Sequence, residues 1–424
     1  MNKIRAGALF IVIVMALVIG ILCASIMTIS LYHQMHVSDN RLYTKLDDNV
    51  NSAVNMLLSD RVALYRDTSY VIDLFKLEED SVFITRKRWG ILESASVSAF
   101  SRGKKISVDF LYGYELSSKD STVLYVPDLG RPLSFSGTTV IIGNCKLPAS
   151  GVKRGNIEGE YFSGTQLVQG KVSTSTKNLP AIQEKTLTRL LSLLKGDSTS
   201  MYRRIGKLVY TLDTDTLINK FSDTTLVLLS QGTGLGGKYL EGNIIIYAVD
   251  KIEIPQNLTL KDVLIIAPYI RIKNNVQGVF QAFASDSMIV EENVVCNYPS
   301  VLGLMKTDFH VQQPYIKTGS NFKFSGIIFS YQNVSDLSQT LLSMGEKSEI
   351  SGEIYANGFL ELKQGTVVKG QVTCSKFYLK TKKAIYENNL LDITIDKTAL
   401  SPYFVGSSLL ISNTPKKIIK WLER

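Results

Sequence analysis

Between Ala6 and Ser38 the chain carries no Asp, Glu, Lys or Arg, and the run "AGALFIVIVMALVIGILCASIMTISLY" is almost wholly apolar. An uninterrupted apolar stretch of this length predicts a helix able to cross a bilayer core of about 30 Å. It is also far longer than the apolar core of a cleaved secretory signal, about 7–15 residues. Past the run the pattern changes period. Leu42, Leu46, Val50, Ala53 and Leu57 recur every three or four positions through "RLYTKLDDNVNSAVNMLLSD", which predicts that the helix continues as an amphipathic stalk. After "YVIDLFKLEED" the texture becomes short alternating and β-branched runs, at Val82 to Thr85, Lys105 to Leu111 and Thr122 to Val126. Residues 237 to 300 and 320 to 382 have no helical period, so the second part is predicted to be mainly β.

A small motif recurs within that part: apolar, any residue, Gly, any residue, apolar. It begins at Ile157, Val168, Leu240, Val276, Phe324, Ile350 and Val368. Apolar residues four apart share one face of a strand, and glycine permits a tight bend between stacked strands. Spacings of 36 from Leu240 to Val276 and 18 from Ile350 to Val368 fit one or two coils of a parallel β-solenoid, the other spacings requiring loops between coils. Two helical exceptions are predicted. "QEKTLTRLLSLLKG", Gln183 to Gly196, places Leu187, Leu190, Leu191 and Leu194 on one face, and "TPKKIIKWLER" starts with a Thr cap and a Pro, then aligns Ile418, Ile419 and Leu422. The expected order is a basic leader at 1–7, a transmembrane helix at 8–32, a helical stalk at 33–78, a β-rich lead-in at 79–134, a solenoid-like domain at 135–385 with an insertion near 183–235, and strands with a cap helix at 386–424.

Charge sets the expected orientation. Lys3 and Arg5 precede the apolar run, whereas Asp39, Arg41, Lys45, Asp47 and Asp48 follow as a mixture, so the positive-inside bias puts the N-terminus in the cytoplasm and everything after about residue 33 outside the cell membrane. The net charge of +9 is not concentrated in any segment with interleaved aromatics, which argues against nucleic acid as a partner. Catalytic chemistry finds little material. His33, His36 and His310 are the three histidines, and Cys23, Cys145, Cys296 and Cys374 form no CxxC pair, so neither a zinc site nor another cofactor is expected. Asp213 and Asp215 in "DTDT" and the acid of "ASDS" read as turn or surface residues, and no catalytic residue is assigned. "GTGLGGK", Gly232 to Lys238, mimics a phosphate-binding loop, but Tyr239 replaces the hydroxyl residue and "YLEGNIIIY" predicts a strand where a helix must start.

"KIRAGALFIVIVMALVIG" resembles the class III signal of minor pilins and pseudopilins of type IV pili and type II secretion: a basic leader ending in Gly7, with Ala8, Leu9 and Phe10 opening the apolar helix. The resemblance implies cleavage between Gly7 and Ala8. It also implies a structural, non-enzymatic subunit in filament assembly, adhesion or secretion, whose partners are the lipid bilayer and other pilin-like or secretion-system subunits. Major pilins carry Glu at the fifth mature position. Val12 stands there, which places the resemblance with the minor pilins and large minor pseudopilins that lack the acid. "ISGEIYANGFLELKQGTVVKGQVTCSKFYLK" is similar to bactofilin-type and hexapeptide-like β-helices. β-Helices also occur in polysaccharide enzymes, so the alternative is a membrane-anchored envelope enzyme or binding module with a glycan ligand.

Overall fold

The computed structural model describes residues 5–59, 69–74, 81–116, 122–195, 205–209, 215–230, 235, 237–306, 313–333, 338–407, 409–410 and 414–423. One long apolar helix at the N-terminus is followed by a mainly β portion, and 52% of the described residues are in strands. The chain divides into two units. The first holds residues 1–85 and 96–108, and the second holds 86–95 and 109–423.

In the first unit α1 runs unbroken from Arg5 to Leu58. No Pro interrupts it, and two polar residues inside its apolar part bond back to the helix: Ser25 Oγ donates to the Ile21 carbonyl and Thr28 Oγ1 to that of Ala24. Side chains from Gly7 to His36 are exposed. Burial begins at Leu46 and follows Asn49, Val50, Ala53, Val54 and Leu57, the three-and-four spacing that the stalk's sequence predicts. The helix ends earlier than expected from the 33–78 span. Ser59 is a turn, and Ser69–Ile72 forms strand β1, paired antiparallel with the start of β2 (Ser81–Trp89). Strands β3 (Leu92–Ser101) and β4 (Lys104–Glu115) join through a two-residue turn, with φ of 46° at Arg102 and 76° at Gly103. β2, β3 and β4 each contribute residues to both units.

The second unit is built on a ladder of parallel strands. Leu217 pairs with Leu240, Leu240 with Leu260, Leu260 with Gly278, Gly278 with Cys296, and Cys296 with Phe324. The ladder continues through Ile350 and Val368 to Ile395. Its step is 18 residues where no loop intervenes and longer where one does. Six parallel strands close as a barrel. Long strands such as Thr259–Ile272 and Gln277–Val290 pass through bulges, so one strand takes part in several faces of pairing. Leu260, Ile265, Ile270, Phe280, Cys296, Leu302, Phe324, Ile350, Val368 and Cys374 share one buried core.

Ile395 then pairs with Ile141, and Ile141 with Val168, so the ladder continues into a segment that precedes it in sequence. β5 (Thr122–Tyr125) pairs with Val367–Lys380 in the same way, Leu124 facing Val372. Between these early strands and the first rung at Lys207–Val209 lies α2 (Glu184–Lys195), within one residue of the predicted span. Leu190 on α2 packs with Val227, Ile266 and Phe283 on the outer face of the ladder.

Five of the seven glycine motifs occupy equivalent ladder positions. Gly326, Gly352 and Gly370 are stacked in register, with φ of 144°, 138° and 152°. A Cβ on Gly370 would collide with the carbonyl oxygen of Gly352, and one on Gly352 with that of Gly326. Gly242 and Gly170 stand the same way against Asn219 and Gly143. The other two motifs depart from the repeat. Gly159 of "IEGEY" turns an antiparallel hairpin, and Gly278 of "VQGVF" sits in the apolar slot of Leu260 and Cys296, two residues out of phase.

The C-terminal helix expected over 414–424 is not formed: Lys416–Glu423 is a strand, antiparallel to β4. Trp421 meets the edge of Phe110, ring centres 5.4 Å apart, and Lys420 Nζ reaches Asp262 Oδ2 at 2.6 Å. Ile418, Ile419 and Leu422 fit a helical face equally well in isolation; pairing with a strand some 300 residues earlier decides the outcome.

Candidate functional site

The feature best fitted to a function is α1 itself. A helix that exposes Leu9, Phe10, Ile11, Val12, Ile13, Met15, Leu17 and Ile19 all round has no aqueous surface it can present without a large hydrophobic penalty. It is long and apolar enough to cross a membrane, and none of its most apolar window is buried within the chain. Gly7 and Ala8 lie in its first turns, exposed, with nothing within 4 Å of where a Cβ on Gly7 would stand. Arg5 is its first helical residue, and Lys3 lies outside the described residues. Val12 is 62% exposed, an apolar residue among apolar residues, so this turn holds no buried charge requiring a partner.

Where the helix leaves its apolar part, the β3–β4 turn meets it. Lys104 Nζ stands 3.4 Å from Asp39 Oδ2 and 5.4 Å from the ring centre of Tyr43. Asp39 pulls the Lys104 ammonium upward from its ordinary value, first through the hydrogen bond and then through its charge. Both groups are substantially exposed, so the pair sets position more than stability.

No family model matches the chain, and no curated protein matches it. Among solved structures it is similar to the competence-associated pilin ComZ from Thermus thermophilus, at 8% identity and a TM-score of 0.23, the match covering 85% of this chain and 88% of that one.

The remaining sequence candidates do not converge. Asp213, His310 and the stretch Gly232 to Gly234 lie outside the described residues. Asp215 pairs with Lys238, Nζ to Oδ2 2.7 Å, on an exposed edge, and Tyr239 opens the strand Tyr239–Gly242, as the sequence of that loop predicts. Asp286 of "ASDS" lies within the strand Gln277–Val290, where burial raises its pKa above the ordinary carboxylate value. Cys145, Cys296 and Cys374 are free and buried in the ladder core; desolvation pushes Cys145 up to about 12 and the other two higher still, so these thiols are inert packing groups. Among the described residues no group of three His, Cys, Asp or Glu could hold a metal ion.

Sequence reasoning passed over one constellation and one repeat. The basic β3–β4 turn looks in sequence like an ordinary polar hairpin, because its neighbour Asp39 is remote in the chain. The ladder's corner residues Asn275, Asn293, Asn321 and Lys347 all have positive φ, between 55° and 61°. Asn tolerates that conformation best, and its 18-residue recurrence from 275 to 293 matches the step of the ladder.

Proposed function

We propose that the chain is a minor pilin-like or pseudopilin-like subunit of filament assembly, adhesion or secretion. The carrying observation is α1: 54 unbroken residues, exposed and apolar over the first half, buried along one face only in the stalk. Such a helix has two environments open to it, lipid and the side of other apolar helices. An unkinked rod can pass from the first to the second without refolding, as a filament subunit leaving the membrane must. In this reading Lys3 and Arg5 hold the N-terminus in the cytoplasm until cleavage between Gly7 and Ala8 removes both. The mature helix would then carry no charged side chain before Asp39.

The outer portion supplies contacts. Its parallel ladder with an 18-residue step is the pattern expected of a β-solenoid, with short insertions between coils forming the surface open to protein partners. We place this portion outside the cytoplasmic membrane. The work is mechanical, and no residue is assigned to catalysis.

N-terminal sequencing of the chain extracted from membranes tests the reading. The expected mature start is Ala8, and Gly7→Leu should leave residues 1–7 attached while the fold stays intact, since nothing crowds Gly7. A wild-type chain that keeps Met1, or begins elsewhere, overturns the proposal.

A further inference from the structure

The β3–β4 hairpin carries Arg102 in its turn and Lys104 and Lys105 at the start of β4, all within the first unit. The buried residues of α1 run from Leu46 to Leu57. The turn is level with Asp39 and Tyr43, through Lys104. Among the described residues it therefore meets α1 on the apolar-segment side of the buried stretch. The strongly apolar residues give way to "YHQMHVSD" after Leu31, and eight residues at about 1.5 Å each put Asp39 roughly 12 Å farther along the axis. An interfacial layer occupies about 5–7 Å of that distance. What remains is shorter than the Debye length of about 8 Å at physiological salt, so charges on the turn feel a charged membrane surface.

The chemistry at the turn is suited to phosphate. Lys104 is engaged by Asp39, and it clamps the hairpin against the helix. Arg102 and Lys105 are both exposed, and Arg102 makes no ion pair among the described residues. Lys105 Nζ lies 5.3 Å from the ring centre of Phe100, which is itself 39% exposed. The Arg102 guanidinium suits bidentate contact with phosphate, and the exposed Phe100 ring beside the Lys105 ammonium suits the apolar edge of a headgroup layer. The left-handed φ values at Arg102 and Gly103 hold the turn tight, so the side chain at its tip stays at its tip.

We propose that Arg102 and Lys105, with Phe100 beside them, bind anionic phospholipid headgroups of the leaflet from which α1 emerges. The hairpin is then a second point of attachment that fixes how the stalk is tilted and rotated over the membrane. The inference rests on α1 spanning a membrane; it does not depend on cleavage at Gly7 or on assembly into a filament.

The full chain, reconstituted into phosphatidylcholine vesicles with or without phosphatidylglycerol, provides the test, read as amide hydrogen exchange in peptides covering residues 100–106. A basic residue near an anionic surface is worth roughly a fivefold change in affinity. Exchange in the turn is therefore expected to slow at least about fivefold when phosphatidylglycerol is present, and to recover in high salt. Arg102→Gln/Lys105→Gln, which keeps the Lys104 clamp, should remove the difference while exchange at 46–57 stays as in the parent. Equal exchange in the two lipids, or a lipid effect retained by the double variant, overturns the proposal. Flotation of the vesicles reports the anchor separately: a chain that fails to float with lipid removes the basis of this inference, whereas a chain that floats with an uncleaved N-terminus removes only the pilin-like reading.

Discussion

Glu353 shows how far one residue's chemistry can depart from its local sequence. In "ISGEI" it reads as the polar position of a half-exposed strand, yet its side chain is 5% exposed and its Oε1 has no hydrogen-bond partner. The cover comes from residues some 50 positions on. Val405 exchanges two hydrogen bonds with the Tyr298 hydroxyl, Phe404 packs on the Tyr298 ring, and Gly406 approaches the carboxylate so closely that a Cβ would strike it. Desolvation raises Glu353 to about 7, against the opposing pull of the Lys397 charge and a hydrogen bond from Gln371. The unfolded carboxyl titrates near its ordinary value of 4.5, so the folded state holds the proton more tightly. The stability this confers is complete below about 4.5 and is lost as pH rises through about 7. Chemical unfolding of the detergent-solubilised chain should show Glu353→Gln gaining on the parent between pH 5 and pH 8, by up to about 3 kcal/mol. A gap between the two that is the same at both pH values would exclude this role. Nothing near Glu353 in the chain announces the effect, because the burying strand is specified elsewhere.

Among elements, the stacked glycines were legible in sequence and the last strand was not, and the difference is physical. A glycine forced by close approach of two backbones leaves a mark at its own position, so Gly242, Gly326, Gly352 and Gly370 were visible as a motif before their register was known. A strand formed by Lys416–Glu423 depends on its pairing with β4, and the partner leaves no mark in "KKIIKWLE". The glycine argument also separates crowding from conformation. Gly370 has both a positive φ and the Gly352 carbonyl against it, whereas Gly159 has a positive φ of 102° and nothing within 4 Å. Gly370→Ala is expected to cost about 2–4 kcal/mol, through strain plus displacement of the neighbouring strand. Gly159→Ala should cost about 1–2 kcal/mol, the conformational part alone. Thermal unfolding of the two variants side by side is sufficient, and comparable losses would show that the stacked backbones can part without penalty.

For the second unit as a whole, the consequence lies in where the ladder begins and ends. A simple stack of coils would leave its first-synthesised rung at one end and its last at the other, each touching only its neighbour in sequence. Here Thr122–Tyr125 and Val140–Ile142 lie beside Val367–Lys380 and Thr394–Asp396, so the first strands and the last are one layer. The connection that makes this possible runs back along the outside: Tyr355 donates to the Pro180 carbonyl, the Gln183 amide to the Leu409 carbonyl, and Leu190 fills the outer cluster at Val227. The pairings of Leu124 with Val372 and of Ile141 with Ile395 close loops of about 250 residues, which makes the layer late to form and strongly coupled once formed. Sequence periodicity carries no record of this arrangement, since it reports the step between paired strands and not which strand lies beside which. Val123, fully buried against Gly143 in that layer, is the place to perturb it. Val123→Asp should lower hydrogen-exchange protection in 367–396 as much as in 122–147, although about 250 residues separate them. Strands at the opposite end of the ladder, 216–219 and 239–247, should keep theirs, because only nearest neighbours share an interface. Loss of protection confined to 122–147 would mean that the early strands merely lean on a stack already complete without them.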